Sequence, residues 1–354
     1  MSAMLLVRAL RDPASVQGLG SGEWNALVSM ARAEQLIGTL AHRLNGLSLP
    51  PAIDRIMADA RDQAAFVRRQ ALWEADRARA ALNGLDTPVI LLKGTAYAAA
   101  GLKAGVGRSI GDLDILVPRE ALPSVETALM DAGWEWVKSD PYDDLYYRRW
   151  MHELPPMIHR ERDRMIDVHH TILPLTARQT PDADAMIADR LELGGGLCVL
   201  SPEDMVLHCV AHLLADGDLA GGSRNLWDLH CLLEEFGGEG GFEARLESRA
   251  ALHGLRPHLE RGLRLANGLY GAGGALRLSD RLYVRRLLSR NHWGQETGKL
   301  TRLAFYIRSH WLRMPPLMLA RHLWIKSGAG ALTGQRRSQD GHVEIGAPKR
   351  ASIR

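Results

Sequence analysis

Apolar residues recur at helical spacing over the first eighty positions of the chain. Ser21 reads as an N-cap before Trp24, Leu27, Val28 and Ala31, which fall at i, i+3, i+4 and i+7. Pro50-Pro51 breaks the pattern. A second helical run follows from about Ile53 to Leu82, rich in Ala and Arg, with an apolar face at Ile53, Ile56, Met57 and Ala60. The texture changes after Asn83-Gly84. TPVILL (87–92) reads as a short strand ending at Lys93-Gly94, and a small-residue helix runs from Thr95 to about Leu102. The Gly-rich loop AGVGRSIG (104–111) leads into the strand DLDILV (112–117), which Pro118 ends. Residues 119–131 read as helical. GWEWVK (133–138), LYYRRW (145–150), PPMIHR (155–160) and RMIDVHH (164–170) resemble successive antiparallel strands. Ser201-Pro202-Glu203-Asp204 is a helix start, with Pro in the first turn and acids at the positive end of the dipole. Helices continue from there to about Lys326. The expected fold class is α+β: a core of residues 83–200 built on one small sheet, flanked by a helical N-terminal segment (1–82) and a helical C-terminal domain (201–326). Residues 327–354 are Gly-rich and polar, and are expected to form a disordered basic tail.

Composition narrows the class. A chain of 354 residues, 46% hydrophobic and 24% charged, is ordinary for a soluble globular protein and long enough to bury a core without staples. Only Cys198, Cys209 and Cys231 occur, with no C-x-x-C spacing, which excludes a disulfide framework and a Cys-rich structural zinc site. The start, MSAMLLVRALRDP, lacks the long apolar run and cleavage site of a signal peptide, and no stretch reaches 18 uninterrupted apolar residues. The expected location is therefore cytoplasmic, with a peripheral membrane association left open by the basic end. The net charge of +3 hides a split. Residues 281–354 carry 15 Lys plus Arg against 3 Asp plus Glu, a charge of +12, which leaves 29 against 38, or −9, in residues 1–280.

The chemistry concentrates in Gly107-Arg108-Ser109-Ile110-Gly111-Asp112-Leu113-Asp114-Ile115-Leu116-Val117. Side chains two apart on a strand share a face, so Asp112 and Asp114 project together while Leu113 and Ile115 turn to the core. Neighbouring carboxylates repel unless a cation neutralises them, and hard oxygen ligands suit Mg²⁺. Asp167, in the later strand MIDVHH, supplies a third carboxylate, and three from two strands is a ligand set for two-metal phosphoryl or nucleotidyl transfer. The surroundings suit phosphate. Gly105, Gly107 and Gly111 would let backbone amides approach an anion, Arg108 would offer a forked cation, and Ser109 a hydroxyl. Lys93-Gly94-Thr95 lies at a strand-to-helix turn, where helix amides also favour an anion.

LLKGTA, a short helix, GRSIGDLDILV and then MIDVHH together resemble the DNA polymerase beta nucleotidyltransferase superfamily. More narrowly, they are similar to the bacterial uncharacterised nucleotidyltransferase family, with its K-G turn, R-x-x-x-D-[IL]-D strand and later D-[VL]-H strand. The K-G and R-S…D-x-D arrangement is also shared with abortive-infection toxin nucleotidyltransferases. The resemblance covers roughly residues 85–170. It implies a small mixed nucleotidyltransferase sheet, Mg²⁺ as cofactor and a nucleoside triphosphate (NTP) as donor. It implies Asp112, Asp114 and Asp167 as metal-holding catalytic carboxylates, with Asp167 also a base toward the acceptor. Gly94-Thr95 stands where the superfamily usually has Gly-Ser beside the triphosphate, and the hydroxyl is kept.

Other polar residues read first as structural. Lys93 is either a phosphate contact or a solvated strand-end charge, and His169, on the face of Asp167, is either a phosphate or metal contact or, the favoured reading, a satisfied structural histidine. His208 and His212 lie at i, i+4 on EDMVLHCVAHLLAD without a third ligand and read as a packed pair. Arg224 and Asp228 are spaced to pair on one helix. Trp134, Trp136, Tyr146 and Tyr147 read as strand aromatics. In residues 299–326, Leu300, Leu303, Ala304, Ile307 and Trp311 form one stripe, with Arg302, Arg308 and Arg313 mostly off it. Such a segment either packs on the body, lies at a membrane interface, or meets RNA phosphates. The acceptor is therefore open among small molecule, sugar, peptide and RNA, with RNA disfavoured by the acidic body. The rival to an enzyme is a non-catalytic peripheral membrane or binding scaffold on the same fold.

Overall fold

A computed structural model describes residues 3–137, 141–271 and 273–313. The N-terminal stripes fold into helices α1 (Ala3–Arg11), α2 (Ser21–Ala33), α3 (Ile37–Arg43) and α4 (Pro51–Leu82). Gly20, not Ser21, caps α2: its N–H donates to Glu23 Oε2 at 3.0 Å. Pro51 opens the 32-residue α4, because its ring fixes φ and it lacks the amide that a first helical turn leaves unbonded.

Next come β1 (Val89–Leu91), α5 (Lys93–Ala99), β2 (Leu113–Leu116), α6 (Leu122–Asp131) and β3 (Trp134–Trp136). The segment expected as a strand at 145–150 is instead part of helix α7 (Pro141–Trp150). The reason lies in pairs at helical spacing. Arg148 Nε bonds Asp144 Oδ1 at 2.7 Å, and the Tyr146 and Trp150 rings meet edge-on with centroids 5.6 Å apart. Its aromatic content suits a strand, but these i, i+4 contacts form on a helix.

The chain continues through β4 (Met157–His159), β5 (Met165–His169), α8 (Ala183–Ala188), β6 (Leu191–Glu192) and β7 (Leu197–Val199). Helix α9 (Pro202–Val210) is capped by Ser201 and runs on as a π-helical stretch, Ala211–Asp216. Helices α10 (Gly222–Phe236), α11 (Phe242–Leu252), α12 (Arg256–Leu269), α13 (Leu278–Leu287) and α14 (Lys299–Arg313) complete the described chain.

The fold is α+β, on one mixed seven-stranded sheet of order β3-β4-β5-β2-β1-β7-β6. β2 pairs parallel with β5 and β1 parallel with β7, while the remaining neighbours are antiparallel. The expected run of antiparallel strands therefore holds only for β3-β4-β5. Ile90, Leu91, Ile115 and Leu116 in the central strands are fully buried, each contributing roughly 1.5–3 kcal/mol of apolar burial. The three cysteines are free and buried. On α14, Leu300, Leu303, Ile307 and Trp311 are exposed, while Phe305, Ser309 and His310 face inward. The expectations for 314–326 and for the tail 327–354 lie outside the described residues. Among the described residues, no helix is long and apolar enough to cross a membrane.

Candidate active site

The parallel pairing of β2 with β5 sets Asp114 directly opposite Asp167. Adjacent strands lie about 4.8 Å apart, so two carboxylates in register crowd one another. Asp112 precedes β2 and is exposed, whereas Asp114 is buried and Asp167 half-buried. The three acids thus gather on and just before the central strands, but in three environments.

Two nitrogen groups are aimed at Asp114. Lys93 stands where β1 turns into α5, with φ at +49°, a left-handed conformation that costs an L-residue about 1–2 kcal/mol. That turn delivers its ammonium to Asp114 Oδ1 at 2.6 Å. His169, at the end of β5, places Nε2 3.1 Å from the same oxygen. Burial alone would raise the Asp114 carboxyl, but the Lys93 ammonium and the His169 hydrogen bond hold it well below the usual carboxylate range. Lys93 itself is raised, because Asp114 outweighs the burial that would discharge it.

Asp167 has less help, since Lys93 acts on it only as the smallest of four influences. Burial, then the charges of Asp114 and Asp112, push its carboxyl up to about 7, and its Oδ1 is buried with no hydrogen-bond partner among the described residues. Asp112 is also raised, by burial and then by Asp114. Lys93 offsets only part of this mutual repulsion, so the donor set fits a divalent metal ion. His152, Glu153 and His169 form a further group able to hold a metal, with ligand atoms all within 4.8 Å of one another.

The residues expected around phosphate divide. Ser109 is exposed and, with Gly107, lines a cavity of about 330 Å³ that Arg32, Gln35, Asp59 and Gln63 also border. Thr95 is buried and shares a small cleft with Ile110, Gly111 and Asp112. Arg108 points elsewhere. Its guanidinium is buried, bonds Asp228 Oδ2 at 2.9 Å and lies 5.5 Å from the Tyr97 ring centre. Asp228 therefore pairs with Arg108 rather than with Arg224, whose side chain bonds Gln35. Gly94 makes room for this pair, since a Cβ there would collide with the Arg108 guanidinium. Gly105 and Gly107 likewise serve close backbone packing. A Cβ on Gly107, where φ is +67°, would lie 2.5 Å from the Gly38 carbonyl, so the loop is docked on α3. Only Gly111 of the three expected loop glycines faces open space.

Sequence reasoning underrated α9. His208 and His212 line a small cavity with Lys93, Arg108, Arg224 and Asp228. Burial first, then nearby Lys93, lowers both, His208 well below the usual value and His212 to about 3, so both are neutral. Their i, i+4 spacing was visible, but the strand end they would face was not. His152 and Glu153 were missed; the one signal was H-E in a short stretch between two β-rich runs. Trp134 is structural, packed edge-on to His159 with centroids 4.9 Å apart, while Trp136 is half-exposed and donates to Glu126 Oε1 at 2.9 Å.

Among curated proteins none matches the chain. A family model described as an uncharacterised nucleotidyltransferase matches residues 20–271, a span that takes in α2–α12, the whole sheet and every carboxylate described above. The chain belongs to this uncharacterised nucleotidyltransferase family.

Proposed function

We propose that the protein is a Mg²⁺-dependent nucleotidyltransferase that moves a nucleoside monophosphate from an NTP to an acceptor and releases pyrophosphate. The observation that carries this reading is the register pair Asp114–Asp167, with the Asp167 Oδ1 buried and without a hydrogen-bond partner among the described residues. Asp112, Asp114 and Asp167 would hold the metal. Bound there, Mg²⁺ would supply Lewis-acid stabilisation of charge on the transferring phosphoryl group. Lys93, now on Asp114, is within reach of the same site and would bind phosphate oxygens as a point charge. Thr95 and Ser109 would contribute hydroxyls, and the Gly94 turn would bring helix amides near the triphosphate. The Arg108–Asp228 pair would hold the loop in place rather than grip phosphate. Asp167 Oδ1 is the atom that would accept the acceptor proton. The cavity beside Ser109, at about 330 Å³, is of ligand size and would take a nucleoside or the acceptor.

Incubation with each α-labelled NTP, Mg²⁺ and small-molecule, sugar, peptide and RNA acceptors tests the reading. Labelled product that requires Mg²⁺ and disappears in both Asp112→Ala and Asp114→Ala supports it. Transfer that survives both substitutions would sink it.

A second reading, peripheral membrane attachment through residues 299–326, has one specific observation in its favour. The stripe Leu300, Leu303, Ile307 and Trp311 is turned to solvent on a helix with basic residues alongside. It is compatible with an enzyme. Flotation with anionic vesicles should recover the wild type and lose Leu303→Asp; equal recovery of both, or of neither, argues against it.

A further inference from the structure

We infer that His152, Glu153 and His169 form a second metal site, separate from the three aspartates and suited to a borderline divalent ion such as Zn²⁺. Glu153 Oε2 lies 3.7 Å from His152 Nε2 and 3.5 Å from His169 Nδ1. Around a tetrahedral zinc with bonds of 2.0–2.1 Å, neighbouring ligand atoms are about 3.3–3.4 Å apart. Two of the three separations are thus within a few tenths of an ångström of that spacing, and all three residues offer ligand atoms within 4.8 Å of one another.

The frame is rigid. Glu153 and His169, the last residue of β5, form an antiparallel bridge. On either side of it, Leu154 N donates to Val168 O and His170 N to His152 O, both at 2.9 Å. The two imidazoles lie with ring centres 5.1 Å apart, tilted by 31°. A site of this kind needs little rearrangement to close on an ion.

The arrangement of His169 links the two centres. Its Nε2 faces Asp114 Oδ1 at 3.1 Å, and its Nδ1 faces Glu153. With Nε2–H donated to Asp114, the ring presents the Nδ1 lone pair to the ion, the carboxylate–histidine–metal arrangement that fixes tautomer and ring orientation. His169 is then a positioning residue that anchors Asp114 through a bound ion. Two imidazoles and one carboxylate select Zn²⁺, Co²⁺ or similar ions and are poor ligands for Mg²⁺, which prefers oxygen. Ion binding here stands apart from the nucleotidyl-transfer reading, which concerns Asp112, Asp114 and Asp167.

Chelator-stripped full-length protein titrated with Co²⁺ tests the site through visible d–d absorption, with Mg²⁺ in large excess to fill oxygen-only sites. The wild type should take up one equivalent that Mg²⁺ does not displace. His152→Ala and Glu153→Gln, each checked for a wild-type far-UV circular dichroism spectrum, should bind Co²⁺ at least about 100-fold more weakly. Asp112→Asn should bind it as the wild type does. Uptake unchanged in whichever of the two site variants folds overturns the inference, as does complete displacement by Mg²⁺ or loss of uptake in Asp112→Asn alone. None of these outcomes depends on an acceptor or on transfer activity.

Discussion

Two aspartates in this molecule, one buried and one half-buried, have opposite surroundings. Asp204, in the first turn of α9, is fully buried, and both its oxygens are bonded: Oδ1 by Arg249 Nε and His253 Nε2, each at 3.1 Å, and Oδ2 by the other arm of Arg249. Burial works against its charge, but the His253 and Arg249 hydrogen bonds outweigh it and lower its carboxyl below the ordinary value. Asp167 is more exposed, yet burial and the neighbouring acids raise it to about 7, and it has an oxygen with no partner among the described residues. The chain saturates an acid that only holds helices together. On the central strands it leaves an acid whose nearest cation, Lys93, does not outweigh burial and the neighbouring acids, the kind of perturbed group on which the proposed metal site rests.

The comparison breaks first if the acids of the central strands are dispensable. Asp114→Ala should lower transfer by about 10³-fold or more, in the range found when a stabilising group is removed from a reacting centre, while the protein stays folded. Asp204→Asn should do the converse. It leaves the half-buried Arg249 with Asp189 as its remaining carboxylate and the buried His253 facing an amide, so urea unfolding should show a loss of about 1–3 kcal/mol, with transfer per folded molecule unchanged. The pH dependence has a definite sign. Because the folded-state value of Asp204 is lowered, its stabilisation is fully present above the unfolded value of about 4 and is lost as pH falls through the folded-state value. Wild type should therefore lose stability in acid more steeply than Asp204→Asn.

Asp167 predicts the opposite slope. Its folded-state carboxyl is raised, so in chelator the folded chain binds the extra proton between about pH 4 and about pH 7 and loses stability as pH rises through that window, by on the order of 2–4 kcal/mol. Asp167→Asn should flatten this loss, and Mg²⁺ should offset it in the wild type only; a flat wild-type profile in chelator would remove the contrast. The smallest effect concerns the loop. Gly94→Ala should cost roughly 1–3 kcal/mol by forcing the Arg108 guanidinium aside, and Gly94→Ser should cost at least as much.

Much of this site was legible in the sequence. The acids of D-x-D and their apolar neighbours alternate with period two, a pattern that survives any tertiary context, and the third acid sits in an equally apolar run. The helical flanks were legible for the same reason, since a 32-residue stripe such as α4 offers many repeats. What failed was short or long-range. The 145–150 segment is apolar-aromatic enough for a strand, and only its i, i+4 pairs reveal a helix. β6 and β7 have two and three residues, too few to show any period. Arg108 was expected at phosphate because it precedes the acids, yet its partner Asp228 is 120 positions away on α10, and no local pattern announces such a pair. Glu153 and His152 share that difficulty, because their meeting with His169 depends on how the chain returns to the edge of β5.

The central claim is that Asp112, Asp114 and Asp167 bind nucleotide through a divalent ion. Calorimetric titration with a non-hydrolysable NTP, with and without Mg²⁺, on the wild type and on Asp114→Ala measures this directly and needs no acceptor. The account predicts binding by the wild type with Mg²⁺, and a loss of at least about tenfold in affinity without the ion or without the Asp114 carboxylate, about 1.4 kcal/mol or more. Equal affinity in all four titrations, or no binding in any, would contradict it.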